Sequence, residues 1–317
     1  MAAAAERADR VRCPPMGLIV LFSTAAVVIL VALVGAAVRE SLRPARRASG
    51  WALGVGWPVD PEAAGFAFDG WTLDRPGDVQ LPVWDVRGDR DDGPVLILLH
   101  GFGRSRLTWV PYLADWTRRA SRVVMIDLRG HGDATPDGAG LGDPDVEDVA
   151  ALVERLDPPD DRPVVVIGRS LGATVGILAA SICPRIDGVI AIAPYETLAV
   201  PLSQRIRLRG LPDRPITWLA IRVLALLGRR PRSTRAAAAT LRVPLLVVQG
   251  TDDPISPEPG ARAIAEAAPN ARYELVEGAG HGDHWDLEPE RLDDAVDEFL
   301  RLRREAPSAR SGEQVSR

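Results

Sequence analysis

Apolar positions along this chain fall into three patterns. The first is an uncharged run that begins at Met16 and ends at Val38, MGLIVLFSTAAVVILVALVGAAV, with no polar face. As a helix it measures about 35 Å at ~1.5 Å per residue, enough to cross a bilayer. The second is alternation. FAFDGWTLDRPGDVQLPVWDVRG holds two short stretches of alternating character around a Pro-Gly-Asp turn, which predicts a β-hairpin over 66–88. The third is a series of continuous branched runs: PVLILLH (94–100), RVVMIDL (122–128), PVVVIG (163–168), GVIAIAP (188–194) and PLLVVQG (244–250), with ARYELVEG (271–278) as a sixth. A strand without a polar side is one covered on both faces, so these runs predict a parallel sheet.

Helix-like segments at about 107–119, 144–156, 171–182, 257–268 and 288–304 separate the strands. Strands alternating with helices imply right-handed crossovers and an α/β sandwich, mostly parallel and flanked by helices. Residues 195–240 exceed what a crossover needs and contain ITWLAIRVLALLG, a helix with a broad apolar face. The expected layout is a flank over 1–15, a transmembrane helix over 16–38 and a juxtamembrane linker over 39–65. One domain follows over 66–304, capped at about 195–240, and then a polar, disordered tail over 305–317. A cleaved signal peptide is the rival reading of the first segment, with VGAA before the cut, but its apolar core should be only about 7 to 15 residues long. A retained single-pass anchor in the cell membrane is the better fit. Arg7, Arg10 and Arg12 precede it and Arg39, Arg43, Arg46 and Arg47 follow it, a balance too even to assign a side.

Composition narrows the chemistry. All 38 basic residues are arginine and the net charge is -5, which reads as genome bias and argues against a nucleic-acid partner. Cys13 and Cys183 are the only cysteines, too few for a disulfide framework or a zinc knuckle. Cys183 reads as a small buried apolar residue.

In open α/β sheets, reactive groups collect at the carboxyl ends of strands. Four such ends carry chemistry here: HGFG (100–103), DLRGHG (127–132), GRSLG (168–172) and GTDDPISP (250–257). GxSxG would set Ser170 on a sharp strand-to-helix turn, with Gly168 and Gly172 allowing close packing. Alone the pattern is weak, arising by chance roughly 0.1 times in a chain of this composition. Its context strengthens it: an apolar strand precedes the serine and LGATVGILAAS follows. A serine hydroxyl needs a base and an orienting acid. Of four histidines, His100 and His131 sit in tight glycine loops as supports, whereas His281, in GAGHGDHW after the last strand, can reach across the sheet edge. His281 is the expected base. His284 is an alternative base that reads better as a surface or supporting residue, and a metal site at His281, Asp283 and His284 lacks a distant fourth ligand. The acid is Asp252 or Asp253, the other bracing the turn.

The ordered set LLHGFGRSRLTW, VVMIDLRGHGDA, VIGRSLGATVGILAA, VVQGTDDPISP and EGAGHGDHW resembles the motifs of the α/β-hydrolase superfamily of serine hydrolases, over about residues 66–304. The resemblance implies that Asp253 is the acid, since it follows Gly250 by three and precedes Pro257 by four. It also implies that the amides of Phe102 and Leu171 form the oxyanion hole. The implied reaction is cofactor-free hydrolysis of an ester or thioester through an acyl-enzyme, on a small-molecule acyl ester or a lipid-like substrate. An acyltransferase or a cofactor-free haloperoxidase would use the same triad. A catalytically dead membrane-anchored scaffold is the alternative of another class. Ser170 argues against dehalogenases and epoxide hydrolases of this fold, whose nucleophile is aspartate.

Overall fold

The computed structural model describes residues 16–305; the expected flank 1–15 and all but the first residue of the expected tail lie outside them. The helices are α1 (Met16–Leu42), α2 (Ser49–Gly54), α3 (Leu113–Thr117), α4 (Asp143–Leu156), α5 (Leu171–Ala180), α6 (Ala199–Leu208), α7 (Asp213–Leu226), α8 (Thr234–Ala238), α9 (Glu258–Ala267), α10 (His284–Leu287) and α11 (Pro289–Glu305). The strands are β1 (Phe68–Arg75), β2 (Val79–Arg87), β3 (Val95–Leu99), β4 (Arg122–Ile126), β5 (Val164–Arg169), β6 (Gly188–Ile192), β7 (Leu245–Gly250) and β8 (Ala271–Val276).

The strands form one sheet in the order β1-β2-β4-β3-β5-β6-β7-β8. β1 and β2 are an antiparallel hairpin, β2 meets β4 antiparallel, and every later pairing is parallel. Continuous apolar strands still obey a period of two. Val95, Ile97 and Leu99 of β3 face one core with α4, α5 and α9, while Leu96 and Leu98 face the other with α3 and α11. The chain leaves β3 for β4 on one side and crosses back over it to β5, so the strand order reverses between β3 and β5. A crevice opens at such a reversal, and the loops carrying HGFG and GRSLG flank it.

Three expectations change. Residues 107–119 are a seven-residue 3-10 segment over Arg106–Tyr112 followed by the short α3, because Pro111 lacks the amide an α-helix needs there. The cap holds three helices, α6 to α8, where the sequence pattern showed one. Residues 39–65 are not a free linker. α1 continues to Leu42, Arg46 donates to the carbonyls of Gly132 and Ala134 at 2.9 and 2.6 Å, and Ser105 Oγ donates to the Arg47 carbonyl at 2.5 Å. Ala52 is fully buried, and Trp51 packs edge-on against Trp57. Backbone polar groups satisfied by the domain and half-buried rings packed on it hold this segment down. α1 is long and apolar enough to cross a membrane, a property that a signal sequence shares.

Candidate active site

β5 ends at Arg169, and the chain turns at once into α5. Ser170 sits on the turn with φ 54° and ψ -111°, a backbone region that side chains with a Cβ rarely occupy. Two bonds fix it there: the Ser170 amide donates to the Ile192 carbonyl at 2.8 Å, and the Thr174 amide donates to the Ser170 carbonyl at 3.0 Å. The flanking glycines are required by contact. A Cβ on Gly168 would lie 2.2 Å from Gly172 backbone, and one on Gly172 would lie 2.3 Å from the Leu99 carbonyl oxygen. β5, α5 and the end of β3 therefore touch through bare backbone.

His281 comes from the loop after β8, which Asp283 shapes by accepting from the Gly280 amide at 2.7 Å. Asp253 comes from the loop after β7. The two loops are pressed together at Gly250, where a Cβ would lie 2.2 Å from the Ala279 carbonyl oxygen, and are tied by the Asp252 amide, which donates to that oxygen at 2.9 Å. The three side chains meet in line. His281 Nδ1 lies 2.7 Å from Asp253 Oδ2, and His281 Nε2 lies 3.0 Å from Ser170 Oγ. A carboxylate only accepts, so Nδ1 carries the proton and Nε2 is left as an acceptor toward the serine.

Asp253 is held by more than the histidine. Its Oδ1 accepts from the amides of Ile255 and Ser256, both at 2.8 Å, and its Oδ2 accepts from Gln249 Nε2 at 3.3 Å. Burial pushes its pKa up, but the His281 bond and charge and these two amides outweigh that and hold the carboxyl below its ordinary range. It is ionised in its folded setting. Asp252 is exposed and, among the side chains of the described residues, accepts from Thr251 Oγ1 alone, at 3.1 Å. Of the two candidate acids, the structure brings Asp253 to the histidine.

The remaining histidines are neutral and buried. His284 is not at the surface. It lies fully buried in α10, its ring nitrogens have no hydrogen-bond partner among the described residues, and burial with the nearby Arg169 charge drives its pKa down to about 4. His100 Nε2 accepts from the Leu128 amide at 3.0 Å while Nδ1 donates to the Gly101 carbonyl at 2.9 Å, and burial lowers it to about 4. His131 stacks tilted on His100 and edge-on to Phe102, lowered to about 3 by burial. Both brace the loop after β3.

The backbones of the two expected oxyanion donors adjoin Ser170. Leu171 opens α5, where a helix amide has no intrahelical partner, and the loop carrying Phe102 passes so close that a Cβ on Gly101 would lie 3.6 Å from the Ser170 Cβ. The Phe102 ring is covered from the cap by the Arg205 guanidinium at 4.4 Å. Sequence reasoning missed Arg205 and Gln249. Gln249, a buried polar residue at the end of an otherwise apolar strand, carried a readable signal.

A model of the alpha/beta hydrolase family matches residues 96–295, which span the sheet from β3 to β8 and all three aligned side chains. The chain belongs to that family. Among curated relatives, mouse protein phosphatase methylesterase 1 is 34% identical over 128 residues, covering 38% of this chain and 33% of the relative. The chain thus spans about a third of the length of the curated methylesterases it matches. Among solved structures, an esterase of Pyrococcus furiosus superposes with a TM-score of 0.68 at 22% identity, covering 83% of this chain and 98% of its own. A bacterial membrane phospholipase A superposes with a TM-score of 0.57 at 18% identity, covering 92% of this chain and 98% of its own. At these identities the solved structures share the family's fold.

Proposed function

We propose that this hydrolase cleaves carboxylic esters or thioesters with Ser170 as nucleophile, His281 as general base and Asp253 as the orienting acid. The observation that carries the reading is the continuous relay from Asp253 Oδ2 through both ring nitrogens of His281 to Ser170 Oγ, at 2.7 and 3.0 Å. Ser170 Oγ attacks the acyl carbon while its proton passes to His281 Nε2. The imidazolium is stabilised by the buried Asp253 carboxylate, and the oxyanion is received by the amides of Phe102 and Leu171. Collapse expels the alcohol or thiol, which takes the proton from His281. Water, activated by the same nitrogen, then releases the acid from the acyl-serine. The partial likeness to methylesterases supports ester hydrolysis over the other uses of such a triad. In this reading α1 is a retained membrane helix, and the substrate is an acyl ester, lipid-like where it is drawn from the membrane.

The test is covalent labelling of the full-length chain in detergent by a fluorophosphonate, with short-chain p-nitrophenyl esters as substrates. Labelling and turnover are expected in the wild type and absent in Ser170→Ala and His281→Ala. A folded wild type that does not label, or a Ser170→Ala variant that still turns over, overturns the proposal.

A further inference from the structure

Residues 16–18 and 20–29 of α1 stand exposed, but from Leu30 onward one stripe of the helix is docked. Leu30, Leu33, Val34, Ala37, Val38 and Leu42 recur at three- and four-residue steps and pack on Leu202 and Ile206 of α6 and on Ile216, Ala220 and Leu224 of α7. Polar ties lock the joint. Glu40 accepts two bonds from Arg209 of the cap at 2.7 and 2.8 Å, and the Ala139 amide donates to the Leu42 carbonyl at 2.9 Å. The end of the apolar helix is thereby a wall of the cap.

That joint fixes how deep the cap sits once α1 crosses a bilayer. The part before Leu30, 16–29, measures about 21 Å at ~1.5 Å per residue, against a hydrocarbon thickness of about 30 Å. Counted from Met16, the uncharged run reaches about 30 Å only at residue 35, so it must include Leu30, Leu33 and Val34 of the stripe packed against the cap. Helices packed on a membrane-embedded segment share its depth. The cap surface suits this setting. Leu226 is 87% exposed, Trp218 56% and Leu208 63%, beside Leu227 at the end of α7. The Arg222 guanidinium stacks on Trp218 at 3.6 Å, and Arg230 follows the apolar turn, an arrangement of apolar faces and snorkelling cations found at lipid interfaces.

We infer that the outer face of α6 and α7 lies within the domain-side leaflet of a lipid bilayer, so that the acyl chain of an ester substrate reaches the cap from the membrane. The inference rests on the reading of α1 as a retained membrane helix, and its substrate clause rests on the esterase reading. Both are separable by experiment. The full-length chain, with Cys13→Ser and Cys183→Ser, is reconstituted in phosphatidylcholine–phosphatidylglycerol vesicles whose acyl chains are brominated at carbons 6 and 7. A nitrobenzoxadiazole label is placed by Phe22→Cys in α1, by Leu226→Cys on the cap, or by Asp91→Cys in the loop between β2 and β3, at the amino end of β3.

Quenching at 22 and 226 with none at 91 is the expected result. Quenching at 22 alone overturns the embedded cap while leaving the anchor standing, and quenching at neither site removes the anchor and the inference together. The depth readout needs no catalysis, so its failure is distinct from failure of the serine labelling. In activity, the pair Leu226→Glu and Leu227→Glu should lower hydrolysis of a long-chain ester in vesicles by about tenfold while leaving a short soluble ester unchanged. Equal hydrolysis of the vesicle-borne ester by this pair and the wild type overturns the substrate clause.

Discussion

Asp253→Asn replaces the buried carboxylate by an amide of the same shape, and the surrounding bonds dictate which way that amide faces. The Oδ1 side receives two backbone amides at 2.8 Å, from Ile255 and Ser256, so the carbonyl oxygen of the new side chain must stay there. Its NH2 group is then forced to the Oδ2 side, facing His281 Nδ1 and Gln249 Nε2. A donor now meets the nitrogen that had donated. Nδ1 becomes the acceptor, the proton moves to Nε2, and the histidine presents N–H to Ser170 Oγ where a base is needed. Loss of the correct tautomer in a hydrolytic triad costs about 10⁴ in kcat, on the order of 5 kcal/mol of barrier. Folding should change little, since the two amide bonds survive. Asp252→Asn, at an exposed carboxylate with no tie to the histidine, should keep turnover within about twofold. The assay is steady-state hydrolysis of p-nitrophenyl butyrate by both variants, with thermal melts to verify folding. Comparable kcat in Asp253→Asn and the wild type, or a large loss in Asp252→Asn instead, would refute the argument.

Acidification should destabilise the protein through its buried histidines. His100, His131 and His284 are held at about 4, 3 and 4 when folded, against 6.5 unfolded, so stability present above pH 6.5 is lost as pH falls toward 4. Each contributes about 2 kcal/mol of loss at pH 5, while Asp145, raised to about 7 by burial and then by Asp148, offsets about 2 kcal/mol in the opposite direction. The net fall of about 4 kcal/mol between pH 7 and 5 is measurable by urea melts, and equal stability at the two values contradicts it. Gly172→Ala should prevent soluble expression, because the methyl meets the Leu99 and His100 carbonyl oxygens at 2.3 and 2.8 Å. Gly101→Ala, whose methyl would find ordinary contacts at 3.4 and 3.6 Å, should melt within about 3 °C of the wild type. Removing residues 1–29 in detergent should leave the melting temperature unchanged, whereas removing 1–45 strips the α1 stripe from the cap and should destabilise it by about 5 kcal/mol. Equal melting of the two truncations would show that the stripe does not hold the cap.

Much of the molecule was legible because local chemistry and global architecture agree. Continuous Val, Ile and Leu runs bounded by Gly and Pro have few places to go except the middle of a covered sheet, and each run became a strand within a residue or two of its expected ends. Ser170 was legible for a similar reason: a serine between Gly168 and Gly172, after such a strand, requires the bare-backbone contacts seen with Leu99 and between the glycines themselves. His281 followed from position, as the histidine in a glycine-rich loop beyond the last strand.

Other features are decided by contacts between residues far apart in the chain. Two adjacent aspartates are equivalent in sequence, and what separates them is which one the press of Gly250 on Ala279 turns toward His281. The sequence leaves His284 open as a surface or a supporting residue, and it is the packing of α10 that encloses it. Residues 39–65 carry the glycine and proline of a linker, and their docking depends on Arg46 and Ser105 finding partners across the fold. A uniformly apolar helix such as α1 reveals no preferred face in its own sequence. Its contact stripe exists only because α6 and α7 present the complementary surface. The sequence alone therefore determines where the strands and the turn bearing Ser170 lie, since backbone sterics and apolar periodicity act within a few residues; which aspartate meets His281, and how the N-terminal helix joins the cap, are settled only when distant segments are packed together and their polar groups must be satisfied.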